Sequence, residues 1–110
     1  MTTATVHAVQ LGTEVHLAIH GEVDLANRDE VARQLNAAIT NLATAVVLDL
    51  AEASYLDSAA LGLLFTLAER LRLLQVDFVL SVPRSSFSRR VVELSGLDQV
   101  VEVRDGEPRG

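Results

Sequence analysis

The stretch from Ala45 to Leu74, AVVLDLAEASYLDSAALGLLFTLAERLRLL, constrains the fold more than any other part of the chain. Ala45 to Leu50 is a nearly continuous apolar run, which reads as a central strand covered on both faces. From Ala59 to Leu74 the apolar residues recur at helical spacing, with Leu61, Leu64, Phe65, Ala68 and Leu71 on one stripe. Asp57 and Ser58 stand where the chain turns into that helix. The same helix has apolar residues off the stripe, Leu63, Leu67 and Leu74, which predict packing against the third helix of the chain or an exposed strip for a partner.

The flanking segments complete the architecture. Val6–Leu11 and Val15–Ile19 are short, apolar and separated by Gly12-Thr13, which predicts an opening β-hairpin, with Gly21 ending the second strand. Asn27 to Leu42 reads as the first helix. Asn27 and Glu30 have capping-box spacing, and Val31, Leu35, Ala38, Ile39 and Leu42 form its apolar stripe. Asp77 to Val82 is a further strand, stopped by Pro83. Ser85 or Ser86 opens a third helix, Gly96 closes it with a left-handed turn, and Val100 to Val103 is the last strand. The order β, β, α, β, α, β, α, β predicts an α/β fold with a mixed, mostly parallel sheet and packed helices. One domain over residues 4–104 follows, with residues 105–110 as a disordered tail, since RDGEPRG lacks apolar periodicity.

Charge and composition exclude several chemistries. A formal charge of −6 opposes binding to nucleic acid or to an anionic membrane surface. All 9 basic residues are arginines, and without lysine there is no P-loop lysine, Schiff base or lysine general base. Without cysteine there are no thiol nucleophiles, disulfides or Cys-ligated zinc. The first residues show neither a basic leader nor a continuous apolar core, and no apolar run is long enough to span a bilayer. The expectation is a soluble, cytoplasmic protein with no membrane insertion and no direct nucleic-acid contact.

The candidate chemistry then narrows to Ser58. His16 and His20 lie on one strand face about 13 Å apart, too far to share a metal. No histidine follows Ser58, and Ala59 and Ala60 replace the glycines of a nucleophile elbow, so acyl transfer is disfavoured. A serine at a helix N-terminus serves as a plain cap, as a modification target, or as both, because the first-turn N–H groups tolerate an anion. Arg84, Arg89 and Arg90 form a basic cluster that reads as a solvated helix face or as a contact for an acidic surface or a phosphoserine. Asp49 is expected to order the loop after its strand.

YLDSAALGLL resembles the phosphorylation motif of the single-domain anti-sigma-factor antagonists of the STAS family, usually written D-S-S-G-L. Gly21-Glu22-Val23-Asp24 resembles the family's turn after the second strand, VVLDL at Val46–Leu50 its central strand, and LSGL at Leu94–Leu97 the end of its last helix. Ser58 stands at the position of the family's phosphorylated serine and Asp57 at that of its neighbour. Leu61 and Gly62 also match, while Ala59 and Ala60 replace the usual Ser-Gly.

The resemblance implies a non-enzymatic partner switch without cofactor or metal. The unmodified chain would bind an anti-sigma factor with serine kinase activity, phosphorylation at Ser58 would release it, and a phosphatase would reset it. The implied interface is Asp24, Asp57, Ser58, Ala59, Ala60 and Gly62. An alternative from a different class is an accessory STAS subunit of a transport ATPase or signalling assembly, in which Ser58 is only a cap.

Overall fold

The computed structural model describes residues 3–106. Strand β1 (Ala4–Leu11) and strand β2 (Glu14–Val23) form the expected hairpin, closed at the two-residue Gly12-Thr13 turn with Gly12 at φ +65°. Helix α1 (Arg28–Ala38), strand β3 (Ala45–Asp49), strand β4 (Ala53–Leu56) and helix α2 (Ser58–Leu73) follow. The chain ends with strand β5 (Asp77–Ser81), helix α3 (Phe87–Ser95), a 3-10 turn (Leu97–Gln99) and strand β6 (Glu102–Arg104). The sheet runs β1-β2-β3-β5-β6, antiparallel in the hairpin and parallel elsewhere, with β4 parallel to the far end of β2.

Strand β2 carries two partners, and Gly21 makes this possible. Residues Glu14 to Ala18 pair with β3, whereas Gly21 to Val23 pair with β4, with a register shift between Gly21 and Glu22. The strand therefore does not end at Gly21, as the sequence predicts, but bends there and continues. Gly21 adopts φ +107°, and a Cβ at this position would lie 2.4 Å from the Thr3 carbonyl oxygen. Only glycine fits such a close backbone approach. Strand β4 is absent from the sequence reading because its four residues run buried, exposed, exposed, buried and so lack strand alternation.

The helices cover one face of the sheet only. Val15, Leu17 and Ile19 of β2, Val46 and Leu48 of β3 and Leu80 of β5 are buried beneath them. The in-register neighbours His16, Ala18, Val47, Asp49, Val79 and Ser81 lie half-buried on the opposite, open face. This corrects the two-sided burial expected for β3. Full burial of each of these leucines contributes roughly 1.5–3 kcal/mol, which fixes the sheet's sidedness.

Helix α2 turns a different face inward from the predicted stripe. Ala60, Leu63, Leu64, Leu67 and Leu71 are buried, while Leu61 and Ala68 are half-buried and Phe65 and Leu74 are exposed. Its apolar residues are accounted for chiefly by α1, β4, β5 and the 3-10 turn, not by α3. Helix α1 stops at Ala38, short of the predicted Leu42, which is exposed. The capping box does not form. The Asn27 side chain instead accepts from the Asp24 N–H at 3.0 Å and donates to the Glu22 carbonyl at 2.8 Å, while Glu30 pairs with Arg33.

At the other end, Ser86 caps α3 by accepting from the Arg89 N–H, and Gly96 at φ +83° terminates it beneath the fully buried Leu97. Asp105 accepts from the Arg84 N–H and the Gly106 N–H donates to the Val82 carbonyl, so both residues are held against the loop after β5. The rest of the expected tail, residues 107–110, lies outside the described residues.

Candidate functional site

The loop after β2 and the turn after β4 come together because their strands are paired, Val23 opposite Leu56. The Asp57 N–H donates to the Val23 carbonyl at 3.3 Å. Asp57 then serves both segments with its carboxylate. One oxygen, Oδ1, accepts from the Ala60 N–H at 3.0 Å and caps α2, and Oδ2 accepts from the Leu25 N–H at 3.2 Å. A carboxylate at this position satisfies an orphan helix donor and complements the positive end of the helix dipole.

Asp57 takes the capping role, and Ser58 is the first helical residue. The two roles that the sequence leaves open between neighbouring residues are thus divided. Ser58 is exposed, and its hydroxyl makes no hydrogen bond among the described residues. The N–H groups of Ser58 and Ala59, in the first turn of the helix, have no intrahelical acceptor. A new anion on Ser58 would therefore meet two backbone donors at the helix N-terminus, where it is tolerated.

The other residues singled out from the sequence separate into two groups. Asp24 shapes the first loop: its Oδ1 accepts from the Ala26 N–H at 2.9 Å, and its carbonyl accepts from the Arg28 N–H at 2.9 Å. Through the bond from Leu25 to Asp57 this loop lies beside Ser58. Gly62, one helical turn beyond Ser58, is exposed, and a methyl there would meet nothing within 4 Å. It borders a groove between α1 and α2 lined by Arg28, Asp29, Ala32, Leu63 and Thr66. Ala59 is half-buried, whereas Ala60 is only 1% exposed and its methyl belongs to the core. In the free chain Ala60 offers no surface to a partner, so the alanine in place of the family's glycine bears on packing beneath the turn.

Several surface residues near the site carry no sequence signal beyond their type. Leu25 is 71% exposed in the loop held by Asp57. Tyr55, two residues before Asp57, stacks on Phe87 of α3 with ring centroids 6.3 Å apart and an interplanar angle of 12°. Both rings are solvent-exposed, in a chain with one Tyr, three Phe and no Trp. Of the arginine cluster, Arg84 pairs with Asp105, and Arg89 bonds to the Val82 carbonyl and pairs with Glu93. Arg90 is exposed and makes no ion pair among the described residues.

Away from this end, Asp49 accepts from the Ala51 N–H at 2.8 Å and orders the loop after β3, as expected. His7, without a nameable partner in the sequence, meets His20 edge-on at 4.6 Å, and His16 pairs with Glu14 at 3.1 Å. Among the described residues no three His, Cys, Asp or Glu side chains form a group that could hold a metal. No described helix is long and apolar enough to cross a membrane.

A family model described as the STAS domain matches residues 5–108. No curated protein matches the chain. Among solved structures, the fold is similar to an anti-sigma factor antagonist from Mycobacterium paratuberculosis, with TM-score 0.81 and 22% identity over 93% of this chain and 86% of that one. It is also similar to the anti-sigma factor antagonist SpoIIAA in its unphosphorylated form, with TM-score 0.72 and 20% identity over 90% and 87% of the two chains. The phosphorylated form of SpoIIAA, described as a Bacillus cell fate determinant, matches with TM-score 0.67 and 20% identity over 90% of each chain.

Proposed function

The chain belongs to the STAS domain family, and from that premise we propose that it is an anti-sigma-factor antagonist switched by phosphorylation at Ser58. In this reading the unmodified chain binds an anti-sigma factor that is also a serine kinase, and the phosphorylated chain is released until a phosphatase restores it. The chemistry belongs to the kinase and phosphatase, and this chain acts as substrate and ligand in the cytoplasm. The observation that carries the reading is the exposed Ser58 hydroxyl, which no bond within the described residues engages because Asp57 does the capping.

The physics of the switch follows from that position. A phosphate adds about −1.5 to −2 charges next to the Asp57 carboxylate, at a helix end that accepts the anion without unfolding. The surrounding surface, Leu25, Leu61, Gly62 and Phe65 with Asp24 at its edge, has to be desolvated to dock. Burying an unpaired dianion there disfavours docking by several kcal/mol. The neighbour solved in both phosphorylated and unphosphorylated forms supports the idea that one fold carries both states.

The test is incubation with candidate anti-sigma kinases and ATP, followed by mass spectrometry to locate the phosphate. Ser58→Ala should lose labelling and keep binding, and Ser58→Asp should bind at least about tenfold more weakly, the effect of roughly 1.4 kcal/mol. A chain never labelled at Ser58, or an aspartate variant that binds as tightly as wild type, overturns the reading.

A further inference from the structure

The two edges of the sheet are built differently. Strand β6 is three residues long and carries Glu102 and Arg104, both exposed. Strand β1 is eight residues long, ATVHAVQL, keeps unbroken register with β2 from Ala4 to Leu11, and has no Lys, Arg, Asp, Glu or Pro. Short length, charge, proline and bulges are the devices that keep sheet edges from pairing with other chains. The outer edge has the first two and the hairpin edge has none.

Which backbone groups face outward follows from the turn. In a two-residue hairpin the closing pair, here Leu11 and Glu14, is a hydrogen-bonded pair, and bonded and non-bonded pairs alternate from there. Odd-numbered residues of β1 therefore bond to β2, and the bond from the Glu22 N–H to the Thr3 carbonyl continues the pattern. Ala4, Val6, Ala8 and Gln10 direct their N–H and C=O groups away from the sheet. No other described element accepts or donates to them.

We propose that this edge is a self-association surface, in which β1 of two copies pairs antiparallel about a two-fold axis at Ala8 and the two sheets become continuous. Ala8 then faces Ala8 of the second copy, and Val6 faces Gln10, each pair exchanging two backbone bonds. On the open face Val9 meets His7 and Leu11 meets Thr5 of the other copy, covering the two exposed apolar side chains of the strand, which are 56% and 57% exposed. Moving the axis to His7 would instead set two imidazoles against each other. A second copy fits better than an acidic or basic partner because the seam is neutral throughout. It is the strip along which two chains of charge −6 approach without opposing carboxylates.

The absence of cysteine allows a direct test on the full chain. In Ala8→Cys the two thiols would sit across a hydrogen-bonded pair, with Cα atoms about 5.5 Å apart, inside the range that a disulfide spans. Mild oxidation should cross-link it about 100-fold faster than Leu42→Cys, a surface control, reflecting an effective concentration of about 1 mM at a paired site against protein at about 10 µM. Sedimentation of wild type should show a dimer that strengthens with added salt as the like charges are screened. Val9→Lys, at an exposed position, should shift the chain to monomer, with an unfolding midpoint that no longer rises with protein concentration as that of wild type does. Cross-linking of Ala8→Cys no faster than Leu42→Cys, a monomeric wild type, or a Val9→Lys variant that dimerises like wild type would each overturn the proposal.

Discussion

Replacing Asp57 by alanine separates the structural role of the turn from its proposed signalling role. The substitution removes the acceptor for the Ala60 N–H, a loss of about 1 kcal/mol for a helix cap, and the acceptor for the Leu25 N–H. Leu25 is exposed, so water replaces the second bond and its loss costs only about 0.5 kcal/mol. The lost carboxylate at the positive end of α2 adds about 0.3 kcal/mol at the exposed limit. The sum, about 2 kcal/mol, corresponds to a fall in unfolding midpoint of roughly 8–12 °C for a domain of this size. Asp57→Asn keeps one side-chain acceptor and should fall about half as far. Ser58→Ala, which removes a hydroxyl with no partner among the described residues, should stay within about 0.5 kcal/mol of wild type. Thermal unfolding followed by far-UV circular dichroism reads all three, and the Leu25 amide resonance reports directly on the bond between the two loops. If Ser58→Ala destabilised as much as Asp57→Ala, the division of labour between the two residues would be wrong, and with it the premise that Ser58 is free to be modified.

Two further outcomes follow from groups elsewhere in the fold. Ser88 is fully buried, and its hydroxyl donates to the Ala53 carbonyl at 2.8 Å, tying α3 to β4. Ser88→Ala should cost about 1–2 kcal/mol in denaturant titration, and a neutral result would show that the Ala53 carbonyl finds another donor. The Glu30 carboxyl is held down to about 2, first by hydrogen bonds from Arg33 and then from Gln34. Because its folded pKa lies below the ordinary 4.5, the pair's contribution is complete above that value and is lost as pH falls toward about 2. Glu30→Gln should flatten the acid limb of the midpoint curve over this window. The difference should be small and suppressed by salt, as for any fully exposed pair.

Much of this architecture is legible in the sequence because its signals are local. Gly12-Thr13 between two apolar strands, Ser86 and Gly96 bracketing α3, and Asp57-Ser58 before an apolar helix each state a turn, a cap or a stop in a few residues. What is not legible depends on partners distant in sequence. VVLDL has apolar residues at both parities, so nothing in it reveals that Val47 faces the open side while Val46 and Leu48 face the helices. Helix α2 is apolar around more than one stripe, and its phase is set by α1 and the sheet; this is why Leu63 and Leu67 are core and Phe65 is not. Asn27 has the spacing of a capping box, yet its amide is drawn into closing the loop after β2. At the site, Asp57 and Ser58 are legible as a pair, but their separate roles are not, because the bond from Leu25 crosses from another loop. The burial of Ala60 is equally hidden, since alanine suits a core or a surface.

The bend at Gly21 has a consequence for how the site holds together. Most of the sheet is a continuous block, but the loop of Asp24 and the turn of Ser58 are joined through the short pairing of Gly21, Glu22 and Val23 with Ala53, Tyr55 and Leu56. That pairing is seated in the core: Val23, Ala53 and Leu56 are at most 7% exposed, and the Ser88 hydroxyl ties the Ala53 carbonyl to α3. Both loops are therefore anchored to the body of the domain close to the site. A partner that grips both meets a surface already set in place and loses little to ordering it.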